Sequence, residues 1–134
     1  MRRIAQRDFE AGACGIACAA MISGRTYDEA HAIALKLGLR ANAGTYFTCH
    51  KDLVALLNRL GKSCIRKRFN SIRKVTTPAI VKVNPKKSGK YWHWIVVTGS
   101  SKGEIVILDP KPGKLNRIKA FRGYKGTGQY LHVA

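Results

Sequence analysis

The hydrophobic pattern of this chain changes period once, at Gly61, and that change restricts the fold more than any other feature. Before it, apolar residues recur at three- and four-residue intervals, which places them on one side of a helix. Ala30, Ile33, Ala34 and Leu37 form one such stripe; Leu53, Leu56, Leu57 and Leu60 form another. After it come short runs rich in valine, isoleucine and aromatic residues, the composition of strands. Helices followed by antiparallel strands indicate an α+β domain, with N-terminal helices packed on a C-terminal antiparallel sheet.

The punctuation agrees with this division. Cys14 to Ser23 reads as a helix ended by Gly24. Thr26 and Glu29 have the spacing of a capping box, opening a second helix through about Leu37 that Gly38 stops. The link Asn42-Ala43-Gly44-Thr45 leads to Thr48, the expected N-cap of a third helix. In the second half, Ser63 to Arg68 is a faint strand, while Ala79 to Val83 alternates more clearly. Trp92 to Thr98 and Glu104 to Leu108 are the strongest, joined by residues 99–103 as a hairpin. Lys119 to Arg122 and Gln129 to Val133 are expected to add edge strands. At 134 residues, 46% of them hydrophobic, the chain has the size and core material of one domain, 1–134.

Charge narrows the partners. Lys and Arg number 25 against 7 Asp and Glu, a formal net charge of +18. Such a surface attracts acidic proteins, acidic membranes and nucleic acid without sequence preference. The cations are scattered, however, as on a solvated basic face. No apolar run approaches the roughly 18 residues that a membrane span needs, so no membrane insertion is expected. Residues 11–22 resemble a signal-peptide core behind Arg2 and Arg3, but Asp8 and Glu10 stand where a basic leader belongs, which argues against secretion. The four cysteines have no two-residue spacing, so neither zinc nor another cofactor is expected. Cys14 and Cys18, four apart on a helix, are poorly disposed for a disulfide; reduced thiols in a cytoplasmic compartment fit better.

The chemistry concentrates on three positions. Cys14 stands at the start of a buried helix, where the macrodipole favours thiolate, the attacking species in acyl transfer. Cys18, a turn further in, lacks that activation. Among the four histidines, His31 and His50 fall on helices and His132 lies near the chain end. His93 instead opens a strand between Trp92 and Trp94, whose rings can shield an imidazole and contact a substrate. Asp109 ends the next strand, before Pro110. Pairing the two strands as a hairpin brings His93 and Asp109 together, so the acid can orient the base.

The runs Cys14-Gly15-Ile16-Ala17-Cys18-Ala19-Ala20-Met21-Ile22, His93-Trp94-Ile95-Val96-Val97 and Ile107-Leu108-Asp109-Pro110 resemble those of the double-glycine leader peptidases. These are papain-like domains that process bacteriocin precursors, fused to exporters or free-standing. The resemblance implies a papain-like fold and a cysteine peptidase using Cys14, His93 and Asp109, without a cofactor. It also implies a peptide or protein substrate cut after small residues such as Gly-Gly, and an oxyanion hole that includes Gln6. Ala13 departs from the family's usual aspartate before the cysteine, and Gln6 lies slightly farther upstream than the family's glutamine. The residues leave other readings open: an amidase or isopeptidase of the same fold acting on peptidoglycan, an idle domain that binds peptide, or a basic nucleic-acid-binding module.

Overall fold

The first helix, α1 (Ala13–Ser23), has no polar face, and every residue from Ala13 to Ile22 is buried. A helix apolar all round must be covered all round. In the computed structural model, which describes residues 1–7, 13–39, 48–86, 89, 91–99 and 103–134, α2 (Tyr27–Lys36), α3 (His50–Arg59) and strand β3 (Tyr91–Gly99) pack against it. Its small residues permit the close approach. A Cβ added to Gly15 would meet Thr48 Oγ1 at 2.0 Å, so only glycine lets the segment before α3 lie this close.

The caps follow the sequence closely. Thr26 Oγ1 accepts from the Glu29 N–H at 3.1 Å, and Glu29 Oε1 accepts from the Thr26 N–H at 3.3 Å, closing the capping box. Gly24 (φ 71°) and Gly61 (φ 85°) take the left-handed conformation that ends α1 and α3. The N-cap of α3 is Cys49 rather than Thr48, and its N–H donates to Asp52 Oδ2 at 3.1 Å. Thr48 is buried, and its carbonyl accepts the Trp94 indole N–H at 3.0 Å. The expected link at 42–45 and the hairpin tip at 100–102 lie outside the described residues.

Strands β1 (Cys64–Arg68), β2 (Ala79–Lys86), β3, β4 (Ile105–Leu108) and β5 (Gln129–Val133) form one antiparallel sheet in the order β1-β5-β2-β3-β4. This corrects two expectations. Gln129 to Val133 is not an edge strand: it pairs with both β1 and β2, and Tyr130, Leu131 and Val133 are buried. Lys119 to Arg122 forms no strand; only the neighbouring Ile118 bridges to Ile107, their N–H groups donating to each other's carbonyls at 2.7 and 3.0 Å.

Both faces of the sheet are covered. Ile80, Trp94, Val96, Leu108 and Leu131 pack with the helices. Val81, Val83, Ile95, Val97 and Ile107 pack under irregular chain carrying Phe69, Ile72, Phe121 and Tyr124. Gly126 is required here, since its Cβ would fall 2.2 Å from the Phe69 ring. That covering brings Tyr124 to the end of β4. Among the described residues no helix is long and apolar enough to cross a membrane.

Candidate active site

Cys14 lies in the first turn of α1 and is 4% exposed, close to the positive end of the helix dipole. His93 is the third residue of β3, and Asp109 follows the end of β4. The register pairs Val96 with Leu108 and Val97 with Ile107. Continued one step, it sets residue 109 opposite Ile95, with His93 on the diagonal that long side chains span. His93 Nε2 and Asp109 Oδ1 are 2.6 Å apart. Cys14 lies close enough to the same imidazole to help raise its pKa, and Nδ1 is the ring nitrogen that Asp109 leaves available.

The carboxylate of Asp109 is almost fully buried and well satisfied. Besides His93, Oδ1 accepts the Lys111 N–H at 2.9 Å, and Oδ2 accepts the Tyr124 hydroxyl at 2.6 Å. Burial works against its charge, but the bonds from His93 and Tyr124 outweigh it and hold the pKa below the usual carboxylate value. Burial likewise works against a charged His93. The hydrogen bond to Asp109, the nearness of Cys14 and the charges of both prevail and raise its pKa to about 9. At neutral pH the ring can therefore stand as imidazolium beside the sulfur, the pairing that makes a thiol nucleophilic. Burial pushes the Cys18 thiol up, and the charges of Cys14 and Asp109 push it further, so Cys18 is an inert core thiol.

An N-terminal strap positions Gln6. Arg3 Nε donates to the Asp109 carbonyl at 2.7 Å, Arg3 Nη2 to the Lys111 carbonyl at 2.6 Å, and the Gln6 N–H to the Pro110 carbonyl at 2.8 Å. Gln6 thereby lines one cavity of ≈ 420 Å³ with Trp92, His93, Asp109 and Tyr124. The two tryptophans part company here. Trp92 is half-buried at the cavity wall, with Lys82 Nζ 4.3 Å from its ring centroid. Trp94 is 1% exposed in the helix-facing core and, contrary to expectation, cannot touch a substrate. As a strand neighbour of His93 it projects to the opposite side of the sheet.

The remaining histidines are packing residues. His31 stacks on Tyr27, His50 packs edge-on to Trp94 with Nε2 2.6 Å from the Gln129 carbonyl, and His132 Nδ1 lies 3.1 Å from the Thr76 carbonyl. Sequence reasoning missed Arg3 and Tyr124. Arg3 resembles part of a basic leader, and Tyr124 sits in irregular chain where no periodicity signals a role. Among the described residues no cluster of three or more His, Cys, Asp or Glu could hold a metal ion.

Helices laid on an antiparallel sheet, with a helix-start thiol beside a histidine–acid pair, define a papain-like cysteine peptidase. Residues 4–121 match the sequence profile of the peptidase C39 family, and the chain belongs to that family. Solved structures have the same fold. The peptidase domain of Streptococcus ComA, a bifunctional ABC transporter involved in a quorum-sensing pathway, aligns with a TM-score of 0.70 at 22% identity, covering 99% of this chain and 97% of that one. A double-glycine-motif protease from an AMS/PCAT transporter, in complex with the leader peptide, aligns at 0.65 and 18%, covering 99% and 91%. The peptidase domain of Streptococcus mutans ComA aligns at 0.62 and 24%, covering 100% and 99%. No curated protein matches the chain.

Proposed function

We propose that this cysteine peptidase hydrolyses peptide bonds through a triad of Cys14, His93 and Asp109, cutting after small residues such as Gly-Gly. The observation that carries the reading is the imidazole of His93, 2.6 Å from Asp109 and close enough to Cys14 for the sulfur to help raise its pKa. The sulfur attacks the scissile carbonyl carbon, and the π electrons move to oxygen. Gln6 and the Cys14 N–H donate to that oxyanion. His93 protonates the departing amine as the C–N bond breaks, leaving a thioester on Cys14. His93 then takes a proton from water, which attacks the thioester and releases the acid and the thiolate. Asp109 keeps the ring oriented and stabilises its charge throughout. The fold shared with a double-glycine-motif protease bound to a leader peptide supports the preference for small residues before the cut.

Labelling by a peptide electrophile, followed by mass mapping, tests the triad. The expected adduct is on Cys14, lost in Cys14→Ala and His93→Ala and retained in Cys18→Ala. Adduct formation on Cys18 instead would overturn the assignment. Parallel digestion of Gly-Gly peptides and muropeptides separates the peptidase from a peptidoglycan amidase.

A further inference from the structure

The cavity beside His93 carries more charge than hydrolysis requires. Lys86, Lys111, Lys114 and Arg122 all line it, and among the described residues Asp109 is its single acidic lining residue. Asp109 cannot neutralise them, because it is 1% exposed and already engaged by His93, Tyr124 and the Lys111 N–H. None of these four cations takes part in an ion pair among the described residues.

The backbone bearing them is anchored. Asn84 Oδ1 accepts the Lys125 N–H at 2.7 Å and the Asn84 N–H donates to the Lys125 carbonyl at 2.8 Å, tying the Arg122 segment to β2. Tyr124 ties the same segment to Asp109 at 2.6 Å. Lys111 is held by Arg3 through its carbonyl, and the Lys114 N–H bonds the Lys111 carbonyl at 3.4 Å. Lys86 ends β2 opposite Tyr91. Positive charge on fixed backbone around a concave, partly apolar wall concentrates anions there.

The chemistry of the triad says which part of a substrate comes here. The acyl half stays on the sulfur, whereas the amine half receives its proton from the imidazole and departs on that side. The cavity contains His93 and Asp109 but not Cys14 among its lining residues. We infer that this basic cavity is a specificity site for acidic side chains, Asp or Glu, in the first few residues after the scissile bond. The inference rests on the triad reading for its direction along the substrate. The attraction to carboxylates depends only on the cavity.

The test uses Cys14→Ala protein and three fluorescent peptides with Gly-Gly followed by three Glu, three Ser or three Lys residues. The Glu peptide is expected to bind about tenfold more tightly than the Ser peptide at low salt, with the Lys peptide weakest. The advantage should shrink in about 0.5 M salt, where the screening length falls to a few ångströms. Lys114→Glu/Arg122→Glu, added to that protein, leaves two cations against two carboxylates and should remove most of the difference between the Glu and Lys peptides. Equal binding of all three by the parent, or an undiminished Glu preference in the double variant, overturns the inference. So does a single-stranded oligonucleotide that displaces the Glu peptide at lower concentration than poly-glutamate, which would make the cavity a nucleic-acid site. Labelling of Cys14 in the unmodified protein is read separately: its failure would sink the triad and leave the charge preference standing.

Discussion

The hydroxyl of Tyr124 donates to Oδ2 of Asp109 at 2.6 Å, on the oxygen that His93 leaves unused. A loop residue beyond the family match at 4–121 thus completes the hydrogen-bond shell of the carboxylate that His93 bonds. Tyr124→Phe strands that oxygen in a buried site, and a buried acceptor without its partner costs about 1–3 kcal/mol. Thermal unfolding should show this loss. Steady-state kinetics should show a lower kcat with the acid limb of its pH profile moved upward, because Asp109 loses one of the bonds that hold its pKa down. A wild-type kcat and profile would reduce Tyr124 to a packing residue.

Gln6 is held by its backbone, through the bond to Pro110, so its side chain can be cut without releasing the strap. Gln6→Ala should lower kcat by about 100- to 1000-fold, the usual effect of one oxyanion donor. Unfolding temperature should stay near that of the parent. An unchanged kcat would remove Gln6 from the oxyanion hole.

The close approach of α1 to Thr48 makes a second kind of prediction. Gly15→Ala forces a methyl to within 2.0 Å of Thr48 Oγ1, and overpacking of this sort destabilises by about 1–3 kcal/mol. Because α1 carries Cys14, electrophile labelling should slow in the fraction that remains folded. Denaturant titration measures the first effect, and a shift near zero would show that the Thr48 segment yields freely.

Stability should also depend on pH in a defined window. His93 has its pKa raised from 6.5 to about 9, so the folded state holds a proton that the unfolded chain releases earlier. The resulting stabilisation is complete below about 6.5 and disappears as pH rises through about 9. Asp109 works in the opposite direction: its lowered pKa gives stability that is present above 3.8 and lost as pH falls through the lower folded value. Chemical denaturation at intervals between pH 6 and 10 should show the alkaline loss in wild type and a flatter profile in His93→Gln. Parallel profiles would mean that the imidazole is uncharged in the folded protein.

Much of this was legible because it is local. The capping box at Thr26 and Glu29, the leucine stripe of α3 and the hairpin that aligns His93 with Asp109 depend on spacing along short stretches. The missing pieces depend on contacts between distant residues. Arg3 reaches the Asp109 carbonyl across a separation of 106 residues, and nothing near Arg3 distinguishes it from other surface cations. Tyr124 acts from irregular chain. Trp94 misled because strand neighbours alternate sides: adjacency to His93 in sequence put it in the core. The place of β5 was hidden for a related reason, since apolar alternation identifies a strand without naming its partners.

That place has a consequence for how the molecule is made. Ile65 pairs with His132 and Ile80 with Leu131, so two early strands stay separated until the last one slides between them. A nascent chain on the ribosome can form the β2–β3–β4 hairpins as they emerge, but β1 must wait for Gln129–Val133, about sixty residues later, before it has a strand to bond to. Stalling translation before Gln129 should leave a protease-sensitive intermediate whose β1 segment is cleaved first.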